Sequence, residues 1–243
     1  MRRLLPGLAV ILLLAACPHP VPDRPRPGLP SERVMTYSVR WRVLAPGQTR
    51  RVRLLVAVPR TRLPHQEVLS LRYVGRPPDQ TWERDGTAFA EYLLDAPRGE
   101  VTVGFEARLR VHRHDLSTLG PARSTEDATA LAPYRRAERY LELDDPSVRE
   151  EAARVPRVAG DPLGQVLALY RHVIHRLHYA GYNTNSPGAA AALRAGGGDC
   201  TDYTDVLVAL ARGLGFPARH VTGYVRSDPG QIPHHSWAEV PVP

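Results

Sequence analysis

The chain of 243 residues carries a formal net charge of +7, and arginine supplies all of its Lys-plus-Arg positions. These arginines are dispersed and not interleaved with aromatic residues, which excludes a nucleic-acid platform and leaves a solvated basic surface. With 2 cysteines in all, a disulfide-dense scaffold is excluded too, so an exported domain of this sequence must be held by its apolar core.

Arg2 and Arg3 precede an unbroken apolar run from Leu8 to Leu14, with Ala15 and Ala16 behind it. That is the layout of a secretory signal segment over residues 1–16, and it falls short of the ~20 residues a transmembrane helix needs. Leu14-Ala15-Ala16-Cys17 is similar to the lipobox of bacterial lipoproteins, in which the cysteine is lipidated and the peptide is cut just before it. An ordinary signal peptide with a chance cysteine at its end is the plainer alternative. Lipidation of Cys17 implies an exported chain anchored to the cell membrane or outer membrane without a span of its own, facing the periplasm or the exterior. Residues 17–32 would then act as a linker, since Pro18, Pro20, Pro22, Pro25, Pro27 and Pro30 favour an extended polyproline-like spacer. About 210 residues remain beyond it, enough for one large or two small domains.

Met35, Tyr37, Val39, Trp41 and Val43 alternate with polar neighbours, the period of a half-buried strand. Val52, Leu54, Val56 and Val58 repeat that period, as do Val101, Val103, Phe105, Ala107, Leu109 and Val111. Val68 to Tyr73 and Ala88 to Leu94 add further strands, and Asp85-Gly86 signals a turn. Residues 33–115 thus read as an antiparallel β-sandwich-like domain without a catalytic constellation. His112 and His114 beside Asp115 sit near a strand end and read as surface residues, not as a metal site.

Over residues 120–243 the pattern becomes helical, so the fold class is α+β. Leu163, Val166, Leu167, Tyr170, Val173, Ile174 and Leu177 recur at helical spacing behind the start signal Asp161-Pro162. His172, His175 and His178 progress around that helix axis and do not converge on a metal. Ala189 to Ala195 forms a short helix that Gly196-Gly197-Gly198 must stop.

Cys200 opens the next helix, whose apolar stripe is Val206, Leu207, Leu210 and Leu214 and whose end is marked by Gly215. At a helix start the unpaired N–H groups and the positive end of the dipole favour thiolate over thiol, so the sequence predicts a depressed Cys200 pKa and a nucleophile aimed at a carbonyl carbon. A strand from Arg219 to Val225 and a second one carrying His234 and His235 follow. A helix-start cysteine and a strand-borne histidine are the parts of a Cys–His pair, in which imidazole takes the thiol proton and returns it to the leaving amine.

Gly198-Asp199-Cys200-Thr201-Asp202-Tyr203, the run Ala209 to Arg219, Gly223-Tyr224 and His235-Ser236-Trp237-Ala238-Glu239-Val240 together resemble the core of the transglutaminase-like superfamily. The resemblance spans roughly residues 120–243 and implies a papain-like core, a helix-borne cysteine packed on an antiparallel sheet that carries the histidine. It implies Cys200 as nucleophile and His235, not His234, as base. The front sandwich resembles the β-domain preceding this core in some bacterial members, and the whole is similar to a bacterial transglutaminase-like lipoprotein.

Family members place an aspartate on the strand after the histidine strand. The sequence stops at Pro243 before that strand, so the third residue of the triad is unassigned and Ser236 to Val242 is expected to have an unpaired edge. Glu239 lies four residues from His235, roughly 13 Å along a strand, too far to replace it. Asp202, Asp205 and Asp228 are the remaining candidates. The function implied is thiol-dependent acyl transfer at peptide or glutamine amides, by a cysteine peptidase, amidase or transglutaminase-like enzyme acting on cell-envelope peptides or proteins. The alternative is a catalytically impaired module that binds such partners. The sequence carries no metal, nucleotide or flavin signature, and Gly196-Gly197-Gly198 lacks the lysine and serine of a phosphate loop, so no cofactor is expected.

Overall fold

A computed structural model of the chain describes residues 10–12, 31–44, 49–63, 65–95, 99–112, 127–183, 185–225 and 234–242. Cys17 and the linker through Pro30, His114, Asp115 and Asp228 lie outside the described residues, whereas Glu32, read as the linker's last residue, opens a strand. The chain divides into two units, one of Asp23–Asp115 and one of Leu116–Pro243 with Met1–Pro22.

The first unit is built from two antiparallel three-stranded sheets. One has the order β2 (Glu32–Leu44), β7 (Glu100–His112), β4 (Gln66–Gly75); the other has β3 (Arg51–Val58), β6 (Thr87–Asp95), β5 (Gln80–Arg84). The alternation in β2 and β7 puts one face of each strand inward, and Val103, Phe105, Ala107 and Leu109 form a core with Val56, Ala90 and Tyr92 of the other sheet. Tyr37 meets Phe105 edge-on with ring centroids 5.4 Å apart. The turn signal Asp85-Gly86 has both residues at positive φ, 48° and 75°, as a two-residue hairpin with matching twist requires. The polar strand β5, not anticipated from the sequence, pairs with β6 and turns Trp82 onto Phe89.

In the second unit helices surround α5 (Cys200–Gly213), whose residues Asp202 to Arg212 are all buried. Ahead of it come the short α1 (Ala128–Leu131), α2 (Pro146–Arg154), α3 (Pro162–Arg176) and α4 (Ala189–Ala195). Helices α2, α3 and α4 pack on α5. Asp161 caps α3 through Gly164 N–H at 2.9 Å, and Pro162 occupies the first turn. Gly196 ends α4 in the left-handed conformation, φ 71°, where a side chain would be strained. The two-residue strands β8 (His178–Tyr179) and β9 (Gly197–Gly198) pair in parallel just ahead of α5.

On its other side α5 packs against an antiparallel sheet of β10 (Arg219–Tyr224) and β11 (His234–Val240). The expectation of an unpaired β11 edge is corrected here. A short strand β1 (Val10–Leu12), inside the segment read as a leader, pairs with it, Val10 opposite Val240 and Leu12 opposite Ala238. A row of unpaired N–H and C=O groups is a template for any extended segment, and β1 supplies one in the uncleaved chain; cleavage before Cys17 would remove β1 and leave that edge of β11 open, as the sequence predicts.

Candidate active site

Asp199 caps α5, so Cys200 is the first residue of the helix. The Asp199 carboxylate accepts from Thr201 N–H at 2.8 Å and from Asp202 N–H at 3.4 Å, and the Asp202 carboxylate accepts from Asp199 N–H at 3.0 Å. This reciprocal capping box fixes the helix start. Asn183 N–H also donates to Asp199, at 3.0 Å, which ties the preceding loop to the same carboxylate. Gly198 is required by close approach: a Cβ there would stand 2.4 Å from the Asp202 Cβ.

Cys200 is a free, half-buried thiol. The expectation of a depressed pKa is corrected: burial, its largest cause, pushes the Cys200 thiol up from its ordinary value, and the neighbouring Asp199 charge adds to this. Three hydrogen bonds act in the other direction, from the Ser236 backbone N–H, the Thr201 hydroxyl and the Cys200 N–H. At rest the residue is therefore a thiol. The sequence locates the helix N-terminus, but burial of the sulfur outweighs the favourable amides.

Ser236 is fully buried on β11, and its Oγ lies 3.4 Å from Thr201 Oγ1. The first turn of α5 and β11 therefore meet at Ser236, one residue from His235. His235 is half-buried opposite Gly223 of β10, whereas His234 is exposed and edge-on to the Tyr224 ring at 5.4 Å.

The carboxylates considered as orienting groups have other contacts. Asp202 serves the capping box, and Ser186 Oγ lies 3.1 Å from its Oδ1. Burial raises the Asp202 pKa, with Asp199 and Asp205 contributing, against the bonds from Asp199 N–H and Ser186. Asp205 accepts from His220 Nδ1 at 2.8 Å. Glu239 is buried and accepts from Arg219 Nε at 2.8 Å. Of the histidines expected on one helix, His172 on α3 has its Nε2 2.7 Å from Glu151, whereas His178 lies beyond the helix end in β8, its Nδ1 2.6 Å from the Gly196 carbonyl oxygen. Beside the start of α5 lies a cleft of about 380 Å³, lined by Gly181, Tyr182, Asn183, Gly197, Gly198 and Asp202 among others.

Residues 149–243 match the core of the transglutaminase-like superfamily. That stretch is a transglutaminase-like core. The match takes in α5 with Cys200 and the β10–β11 pair with His235. Among solved structures, a proposed cysteine protease from Cytophaga hutchinsonii is similar over 86% of this chain and 72% of its own, at 18% identity and a TM-score of 0.62. The likeness is one of fold, a transglutaminase-like α+β architecture. The periplasmic domain of TgpA from Pseudomonas aeruginosa, bound to ethylmercury, aligns over 86% of this chain and 68% of its own at 16% identity, with a TM-score of 0.46. No curated protein sequence is a significant match to the chain.

Proposed function

We propose that the protein is an exported, lipid-anchored enzyme that performs thiol-dependent acyl transfer at peptide or glutamine amides, with Cys200 as nucleophile and His235 as base. The observation that carries this reading is the junction of α5 with β11, where the Ser236 N–H donates to the Cys200 sulfur one residue from His235. The anchor rests on the Leu14-Ala15-Ala16-Cys17 motif, and among the described residues no helix is long and apolar enough to cross a membrane.

A thiol held neutral by burial sets the order of events. The imidazole of His235 takes the proton as the sulfur attacks the amide carbonyl, in place of a preformed thiolate. The C–N bond then breaks, the amine departs with the proton from the imidazolium, and a thioester remains on Cys200. Water or an amine attacks the thioester, and the thiol is regenerated. The N–H groups of Thr201 and Asp202 go to Asp199 Oδ1 and that of Tyr203 to the Asp199 carbonyl, so the N–H facing the sulfur within this first turn is that of Cys200. With the Ser236 N–H it supplies donors for the oxyanion that forms beside the sulfur.

Turnover of a panel of fluorogenic peptide and glutamine amides tests the reading. The unaltered chain should turn over at least one of them, and Cys200→Ala and His235→Ala should each abolish it. Turnover that survives Cys200→Ala overturns the assignment. Absence of turnover throughout, with peptide binding retained, favours the binding module.

A further inference from the structure

Helix α5 is held to the sheet by polar ties at successive heights. Thr201 meets Ser236 at the first turn. One turn later Asp205 accepts from His220 Nδ1 at 2.8 Å, and His220 stands opposite Ala238, two residues along β11 from Ser236. Near the far end Arg212 Nε donates to the Ala218 carbonyl at 2.9 Å. Four helical residues advance ~6 Å and two strand residues ~6.7 Å, so the first two ties keep helix and strand in step.

The His220–Asp205 contact is specific on both sides. A carboxylate only accepts, so Nδ1 carries the proton, and Nε2 is buried with no partner among the described residues. An imidazole with one nitrogen committed and the other idle is arranged to hold a position, not to relay a proton. The other Asp205 oxygen lies 3.4 Å from Ser186 Oγ, which also sits beside Asp202 of the capping box.

We infer that His220 and Asp205 are a positioning pair whose hydrogen bond sets where α5 seats on β10 and β11, and so aligns the Cys200 sulfur with the His235–Ser236 segment. Its consequence for turnover rests on the proposed role of Cys200; its effect on the thiol itself does not. Loosening the pair lets the first turn of α5 lift from Ser236, which relieves the burial of the sulfur and misplaces it relative to the base.

His220→Ala, Asp205→Ala, their double variant and His220→Asn test this, with the full chain alkylated at Cys200 across pH and assayed for amide turnover. Each alanine change should speed alkylation near pH 8 about threefold or more, by restoring access and a more ordinary thiol pKa. Turnover should lose about tenfold to a hundredfold in kcat with KM within about twofold. The double variant should match the singles, because both break one bond. His220→Asn presents an amide N–H near the place of Nδ1 and should restore both readouts. An unchanged alkylation profile in His220→Ala overturns the inference, and so does failure of His220→Asn to rescue a folded protein, which would assign the ring a proton role. If the alanine variant does not fold, His220→Asn is compared with His220→Gln, whose N–H is one bond farther out; identical alkylation profiles overturn it. If the unaltered chain has no Cys200-dependent turnover, the proposed function fails, while alkylation still decides the positioning role.

Discussion

At Cys200 two opposing influences meet, and burial outweighs hydrogen bonding. A helix start alone argues for a thiolate, yet the sulfur is desolvated against β11 and stands near the Asp199 carboxylate, so its pKa lies above the ordinary value despite three donors. Alkylation of the resting protein should therefore rise only above the ordinary thiol range of ~8.5. Thr201→Val removes one of the lowering hydrogen bonds at nearly constant shape, so it should move the profile to still higher pH. A profile centred well below the ordinary range, unmoved by Thr201→Val, would show that the thiolate is preformed. The direction of this shift was not legible in the sequence, because Asp199-Cys200-Thr201 gives the cap and the dipole but not the strand that covers the sulfur.

Among the elements, those with a strong local signal were legible. The alternation of Met35 to Val43 and Val101 to Val111 became β2 and β7, and Asp161-Pro162 and Gly196 bound their helices as their chemistry requires. Helix α2 has a weak local signature although Asp145-Pro146 repeats the same start signal, because its buried face comprises only Val148, Glu151 and Ala152 and one of those is charged. Glu151 is accommodated by Arg154, His172 and Arg176, partners that only the tertiary fold brings together. Strand β1 pairs with β11 across almost the whole chain, and the His220–Asp205 contact joins a strand to a helix; neither has a local signature. The α5 cap gives an element-scale test. Asp199→Ala removes the acceptor for two helix N–H groups and for Asn183 N–H, and should cost about 1–2 kcal/mol of stability by thermal or denaturant unfolding. Asp199→Asn keeps an acceptor and removes the charge, so it should cost less and also lower the Cys200 pKa. Equal losses in the two variants would mean that charge, not capping, is what Asp199 contributes.

Across the whole molecule, acid should act on the two units through different carboxylates. In the second unit Glu151 and Asp145 are held below their ordinary pKa by their partners and lose stabilisation in acid, while buried Asp202 favours its protonated form and opposes that loss. In the first unit Asp79 and Glu91 are both held below their ordinary pKa by their partners. Glu91 lies on the face of β6 away from the core, yet its side chain is only 4% exposed because Arg53, Gln80 and Trp82 close over it at 2.6, 2.8 and 2.9 Å. These bonds, chiefly that of Arg53, bring its pKa down to about 2 from 4.5. A folded-state pKa below the unfolded one means that the stabilisation is fully present above about 4.5 and is lost as the pH falls toward about 2. Because Trp82 Nε1 donates to Glu91, Trp82 contributes a report on this contact to the tryptophan fluorescence it shares with Trp41 and Trp237. Denaturant unfolding followed by that signal should lose stability steeply through this window in the unaltered chain. Glu91→Gln should be less stable at pH 7, since it leaves Arg53 without its charged partner, and its stability should fall more gently in acid. Parallel pH dependences in the two proteins would show that Glu91 is not the group that makes the sandwich acid-sensitive.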